Sequence, residues 1–177
     1  MAPVAGLLRR PLLDVSRGTV AVACVASGLR PWRDPHNDDP AYKRVRVRHE
    51  VLPVLEEVLG PGVTEALART AGLLRADADA LDVLAAELAE TAVRRTGDEV
   101  VCDIGMLEVE PTAIRTRALR QAALEAGCRA TDLTAGHIAA VDVLVTDWHG
   151  QRWIDLPQGI RATRRAGFIV LAPGVTG

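Results

Sequence analysis

Asp34-Pro-His-Asn-Asp-Asp-Pro-Ala-Tyr-Lys-Arg-Val-Arg-Val-Arg48, followed five residues later by Pro53, separates two kinds of sequence. Four acidic or amide groups that favour turns stand directly before four cations. Upstream, residues 7–14 form a short apolar piece punctuated by Pro11, and Ser16 can cap one helix that Gly28 stops. That is one strand-like segment and one helix, too little to fold alone, and it reads as the tail of a larger α/β unit. Downstream the apolar residues recur at helical spacing.

Working outward, Asp39 is an expected helix N-cap with Pro40 at the first helical position. Pro53 removes a backbone donor, so it must kink or end that helix. Gly60-Pro61-Gly62 closes the segment. Thr64 opens the longest helix, expected over residues 64–94, with Leu67, Leu73, Leu74, Leu81, Leu84 and Leu88 on its apolar side. Residues 99–110 read as an extended piece broken by Gly105. Pro111 and Thr112 start a helix that stops at Gly127, and Thr134 caps another through Val145. From Gln151 the period changes, and Trp153–Leu156, Gly159–Thr163 and Gly167–Leu171 read as short strands joined by turns. The expected fold is mainly α, a helical domain ending in a short β-meander and preceded by a strand–helix remnant. The domain boundary is placed between residues 33 and 34.

Composition narrows the function. The 177 residues carry 49% hydrophobic side chains, enough for a packed core, and a net charge of −2. No global basic field steers the chain to nucleic acid, so any polyanion must be met by a local patch. Lys43 is the sole lysine among 21 cations, which points to compositional bias and lowers the weight of any single arginine. Cys24, Cys102 and Cys128 are odd in number and lack paired spacing, which argues for free thiols rather than a disulfide framework or a zinc site. His36, His49, His137 and His149 show no ligand spacing, and no metal site is expected. No apolar run approaches the roughly 20 residues that span a bilayer, and residues 1–10 lack the pattern of a signal peptide. A cytoplasmic location and no membrane partner follow as expectations.

The cation cluster admits two readings. Arg44 and Arg48, four apart on a helix, share a face, with Arg46 about 200° from each. One reading is a solvated face whose cations pair with Asp38 and Asp39. The other is a phosphate-binding face, where the arginine fork donates two parallel hydrogen bonds that lysine cannot copy. The turn Asp34–Asp39 holds more capping groups than one helix start needs, and Asn37, neutral and both donor and acceptor, is the best candidate for a second task.

In order, Arg10-Pro-Leu-Leu, Ser16-Arg17, Gly28-Leu-Arg-Pro-Trp, Asp34-Pro-His-Asn, Tyr42-x-Arg44-x-Arg46-x-Arg48 and Pro53 resemble the tRNA(Ile)-lysidine synthetase family. The match runs over about the first 55 residues, and the remainder resembles that family's helical second domain more loosely. The resemblance implies an N-type ATP pyrophosphatase that uses ATP and Mg²⁺ to adenylate C2 of the wobble cytidine in tRNA(Ile) with a CAU anticodon. Free lysine then displaces AMP. It implies active-site support from Asn37, Arg44 and Arg48, and substrate contacts from Lys43, Arg46, Arg161 and Arg164, with Arg165 beside them. Arg10 and Trp32 are implied as junction packing and Asp34 as the group that fixes the loop, while His36 stands where the family commonly has Ser or Thr. The family's Ser-Gly-Gly-x-Asp-Ser loop has no counterpart in these residues. The chain is therefore expected to be a portion of such an enzyme, inactive alone and binding neither ATP nor Mg²⁺ tightly. The apolar face of residues 1–28 favours association, a homodimer included. Two competing readings are a stand-alone tRNA-binding module and a purely structural helical domain.

Overall fold

A computed structural model describes residues 4–174. Met1–Pro3 of the N-terminal remnant lie outside the described residues. Cα proximity divides the chain into residues 1–65 and residues 66–177.

The first unit starts with a hairpin of β1 (Val4–Ala5) and β2 (Leu8–Arg9). Helix α1 (Arg17–Ala26) is capped as the sequence expects, the Ser16 hydroxyl accepting from the Thr19 amide at 3.1 Å. Gly28 follows with φ +67°, the left-handed stop that glycine adopts without strain. A single 3₁₀ turn spans Pro35–Asn37. The next helix starts later than expected, at Lys43. Asp39 does not cap it: its carboxylate accepts from the Ala41 amide at 2.8 Å and closes a local turn. Asp and Asn favour such turns because the short side chain reaches its own backbone two residues on.

Pro53 does not end this helix. Helix α2 (Lys43–Arg46) runs into a π turn (Val47–Val51) and on into α3 (Leu52–Leu59). Within the wide turn the Leu52 amide donates to the Val47 carbonyl, five residues back. A proline ring in a regular helix collides with the carbonyl four residues earlier, and a locally wider turn supplies the room. Val45, at 3% exposure, is the one buried residue among the described residues of this unit. Val22, Val25, Leu29 and Trp32 are all exposed, so the unit builds almost no core of its own.

Helix α4 (Val63–Ala92) is the longest element. Glu56 grips its first turn, accepting from the Gly62 amide at 2.7 Å and from the Thr64 amide and hydroxyl at 2.8 and 2.7 Å. The Thr64 hydrogen bonds, with those from Gly62 and Val63, hold the Glu56 carboxyl below its ordinary range.

The second unit contains the core. Strands β3 (Val93–Thr96) and β4 (Glu99–Asp103) form a hairpin where the sequence reading continued the helix to residue 94. Gly97-Asp98 is the two-residue loop, and the β-branched Val93 and Thr96 suit a strand better than a helix end. Helix α5 (Ile104–Glu108) replaces the second half of the expected extended piece, because the Asp103 side chain caps it through the Met106 amide. Helices α6 (Thr112–Glu125) and α7 (Ala135–Thr146) begin and end as expected. Thr134 and His137 form a capping box, which gives that histidine a structural task.

Strands β5 (Ile154–Asp155), β6 (Ile160–Arg165) and β7 (Phe168–Pro173) form the expected meander, but β7 also pairs with β4. The result is one antiparallel sheet in the order β3-β4-β7-β6-β5. Ala166-Gly167 turns β6 into β7 with φ of 45° and 87°, both in the left-handed region. Val100, Cys102, Ile160, Ala162, Ile169 and Leu171 face α6 and α7, whose Leu119, Ala122, Ile138, Val141 and Leu144 complete the core. The scarcity of aromatics leaves Leu, Val, Ile and Ala to fill it.

Candidate nucleic-acid interface

The turn before α2 is organised by its own acids. The Asp34 carboxylate accepts from the His36 amide at 2.9 Å and faces His36 Nδ1 at 3.0 Å. The His36 ring meets the Tyr42 ring edge-on at 5.7 Å between centroids. The Arg44 guanidinium lies over that same Tyr42 ring, 4.3 Å from its centre. Asp34, His36, Tyr42 and Arg44 thus form one chain of contacts from the loop to the cation helix. Such a stack on an exposed ring contributes about 0.5–1 kcal/mol and narrows the orientations of the fork.

The acids of the turn are not spent on the helix cations. Asp38 pairs with Arg33 at 3.1 Å and lies 4.0 Å from His49. Asp39 is committed to Ala41. Lys43, Arg46 and Arg48 are exposed, and among the described residues no hydrogen bond or ion pair to the side chain of any of the three occurs. The i,i+4 pairing that a merely solvated face would make is therefore absent. Asn37 is half-buried and lines a pocket of about 470 Å³ with Arg17, Cys24, Trp32 and Arg33. Trp32, expected to pack at a junction, is 80% exposed.

The other sequence-derived cations lie on the sheet of the second unit. Arg164 donates to the Leu144 and Val145 carbonyls at 2.7 and 3.3 Å, satisfying the end of α7, and lies over Trp148. Arg161 donates through Nε to Asp155 at 2.9 Å and lies over Trp153. Arg165 approaches Glu99 at 3.5 Å.

Sequence reading missed the enclosed cation of the unit. Arg115, 6% exposed, donates to both Asp142 oxygens at 2.5 and 3.0 Å and to the Glu110 carbonyl at 2.7 Å. The Arg115–Asp142 pair joins α6 to α7 and is structural. Tyr42, quoted in the motif, was given no task there, although it stands two residues before Arg44 at a helix start. Among the described residues, no group of three or more His, Cys, Asp or Glu could hold a metal ion, and no helix is long and apolar enough to cross a membrane.

Two family profiles match the chain: a PP-loop domain over residues 3–55 and a TilS substrate binding domain over residues 103–167. A tRNA(Ile)-lysidine synthase of Thermobifida fusca is 55% identical over 97% of the chain, which covers 52% of that relative. Over nearly its whole length the chain is thus similar to about half of a tRNA(Ile)-lysidine synthase. A tRNA(Ile)-lysidine synthase of Streptomyces coelicolor is 51% identical over 96% of the chain, and one of Leifsonia xyli is 49% identical over 98%. The chain spans about half the length of the tRNA(Ile)-lysidine synthases it matches, 47% and 52% of these two. The PP-loop match contains the whole cation cluster, and the substrate-binding match contains Arg115, Asp142, Arg161, Arg164 and Arg165.

Proposed function

We propose that the chain is part of a tRNA(Ile)-lysidine synthetase that joins lysine to C2 of the wobble cytidine of tRNA(Ile) with a CAU anticodon. The parent reaction converts ATP to AMP and pyrophosphate with Mg²⁺, in the cytoplasm. Within it, residues 1–33 belong to the PP-loop domain and residues 34–177 bind tRNA. Arg44, Arg48 and Asn37 support the reacting nucleotide, while Lys43 and Arg46 bind neighbouring phosphates. Arg161 adds a second contact surface on the sheet, and Arg164, on the opposite face of β6, gives less because its fork is already donating to α7.

The single observation that supports this reading best is the cluster of four cations whose preceding turn spends its acids on other groups. Unpaired guanidinium groups held on a capped turn cost no internal ion pair when they meet phosphate. These 177 residues contain no Ser-Gly-Gly-x-Asp-Ser loop and the described ones no acidic metal cluster, so they do not fit ATP or Mg²⁺. The isolated chain is accordingly a tRNA binder without ligase activity.

The test is tRNA binding by the 177-residue chain, measured against salt, for the parent and for Arg44→Ala/Arg48→Ala. Two lost phosphate contacts should flatten the slope of log affinity against log salt by about 1.4–1.8. An unchanged affinity and slope would remove both arginines from the interface.

A further inference from the structure

The sheet of the second unit has two chemically different faces. One packs α6 and α7 through Val100, Cys102, Ala162, Ile169 and Leu171. On the other, strict alternation along β6 brings Arg161, Thr163 and Arg165 to one side, opposite Ala172, Val170 and Phe168 of β7. A shallow pocket of about 200 Å³ lies there, lined by Trp153, Arg161, Thr163, Arg165, Ala172 and Pro173.

The pocket is arranged in advance. Asp155 accepts from the Trp153 indole nitrogen at 3.2 Å and from Arg161 Nε at 2.9 Å, fixing ring and guanidinium together. Arg161 lies 4.7 Å and Arg152 5.0 Å from the centre of the Trp153 ring. The terminal nitrogens of Arg161 make no hydrogen bond among the described residues, and the Arg165 side chain is 62% exposed. Arg152 is exposed in a loop and can leave the ring without disturbing a strand.

We propose that this face holds an unpaired stretch of RNA, with successive phosphates on Arg161 and Arg165 and a base against Trp153. The inference rests on the tRNA-binding reading above and names a second place where that ligand is held. Arg161 and Arg165 are four strand residues apart, about 14 Å, too far for one phosphate and suited to a short run of backbone. Guanidinium forks match phosphate, and an indole stacks any base because every base presents a π face. A ring lying against a sheet reaches only a base already out of its helical stack, so a duplex is excluded.

The experiment uses the 177-residue chain with Trp32→Phe and Trp148→Phe, which leaves Trp153 as the one remaining tryptophan of three. A short single-stranded oligouridylate should quench its fluorescence saturably. Arg161→Ala/Arg165→Ala should weaken that binding about tenfold and flatten the salt slope by about 1.4, two contacts at roughly 0.7 each. Thr163→Glu, at a half-buried strand position that lines the pocket, should weaken it as strongly by placing a negative charge there. Absence of quenching, or equal quenching by an RNA duplex, overturns the proposal. Intact tRNA binding in these variants, with binding lost in Arg44→Ala/Arg48→Ala, overturns the sheet site alone. Unchanged tRNA binding in both sets overturns the sheet site and the helix reading together.

Discussion

Asp142→Asn removes the charge facing the enclosed Arg115 while keeping the side-chain shape. Arg115 loses its charged partner at both Nε and Nη2 and retains the Glu110 carbonyl at 2.7 Å and the Thr112 hydroxyl at 3.3 Å. Its charge cannot be neutralised by deprotonation in any usable buffer, so the folded state must hold a cation without its anion. Breaking a buried pair in this way costs about 3–5 kcal/mol. Asp142 keeps 13% exposure and two other acceptors remain on Arg115, which places the expected loss near the lower bound. For a unit of this size, about 3 kcal/mol corresponds to a fall in Tm of about 12 °C. Denaturant unfolding in a Trp32→Phe background, followed through Trp148 and Trp153, reports on the second unit alone. A loss below about 1 kcal/mol, the range of exposed pairs, would refute the reasoning. The same reasoning expects Arg115→Met/Asp142→Leu to regain most of the loss, since an apolar pair carries no desolvation cost.

Tyr42→Leu removes the ring beneath Arg44, and at about 0.5–1 kcal/mol for an exposed stack the affinity for tRNA should fall about two- to fivefold, with an unchanged salt slope. A slope that flattens as it does in Arg44→Ala would show that Tyr42 does more than orient the fork. Burial pushes the Cys102 thiol up to about 12, the Glu125 charge adding to it, and burial also raises Cys128, whereas Cys24 is half-buried. An alkylating reagent near pH 8 should therefore label the folded chain at Cys24 and reach Cys102 and Cys128 only on unfolding, as peptide mass spectrometry would reveal. Labelling of Cys102 at the rate of Cys24 would contradict its enclosure.

The elements that local chemistry specifies were legible. Ser16, Gly28, Gly127 and Thr134 bound their helices because caps and left-handed stops act over a few residues. Where two local signals competed, the reading failed. The run of leucines in α4 carried the expected helix past Ala92, although Gly97-Asp98 between Val93 and Asp103 is a hairpin signal. Asp39-Pro40 resembled a helix start, but the carboxylate closed its own turn. At the candidate site, residue types and spacing gave the cation cluster, yet not the Tyr42 seat of Arg44, which depends on two rings meeting in space. Arg164 and Arg161 looked alike in sequence. The structure distinguishes them because one meets the carbonyl end of α7, a partner nineteen and twenty residues away in the chain.

The wide turn at Val47–Val51 has a mechanical consequence for the cations it adjoins. A helix with an absent donor and a five-residue rung in its middle is softest there, since fewer and longer links join its halves. The segment carrying Lys43, Arg44 and Arg46 can pivot by small amounts while α3 stays still. Adjusting the forks to an incoming backbone then bends one compliant joint and leaves the rest of the rod unstrained.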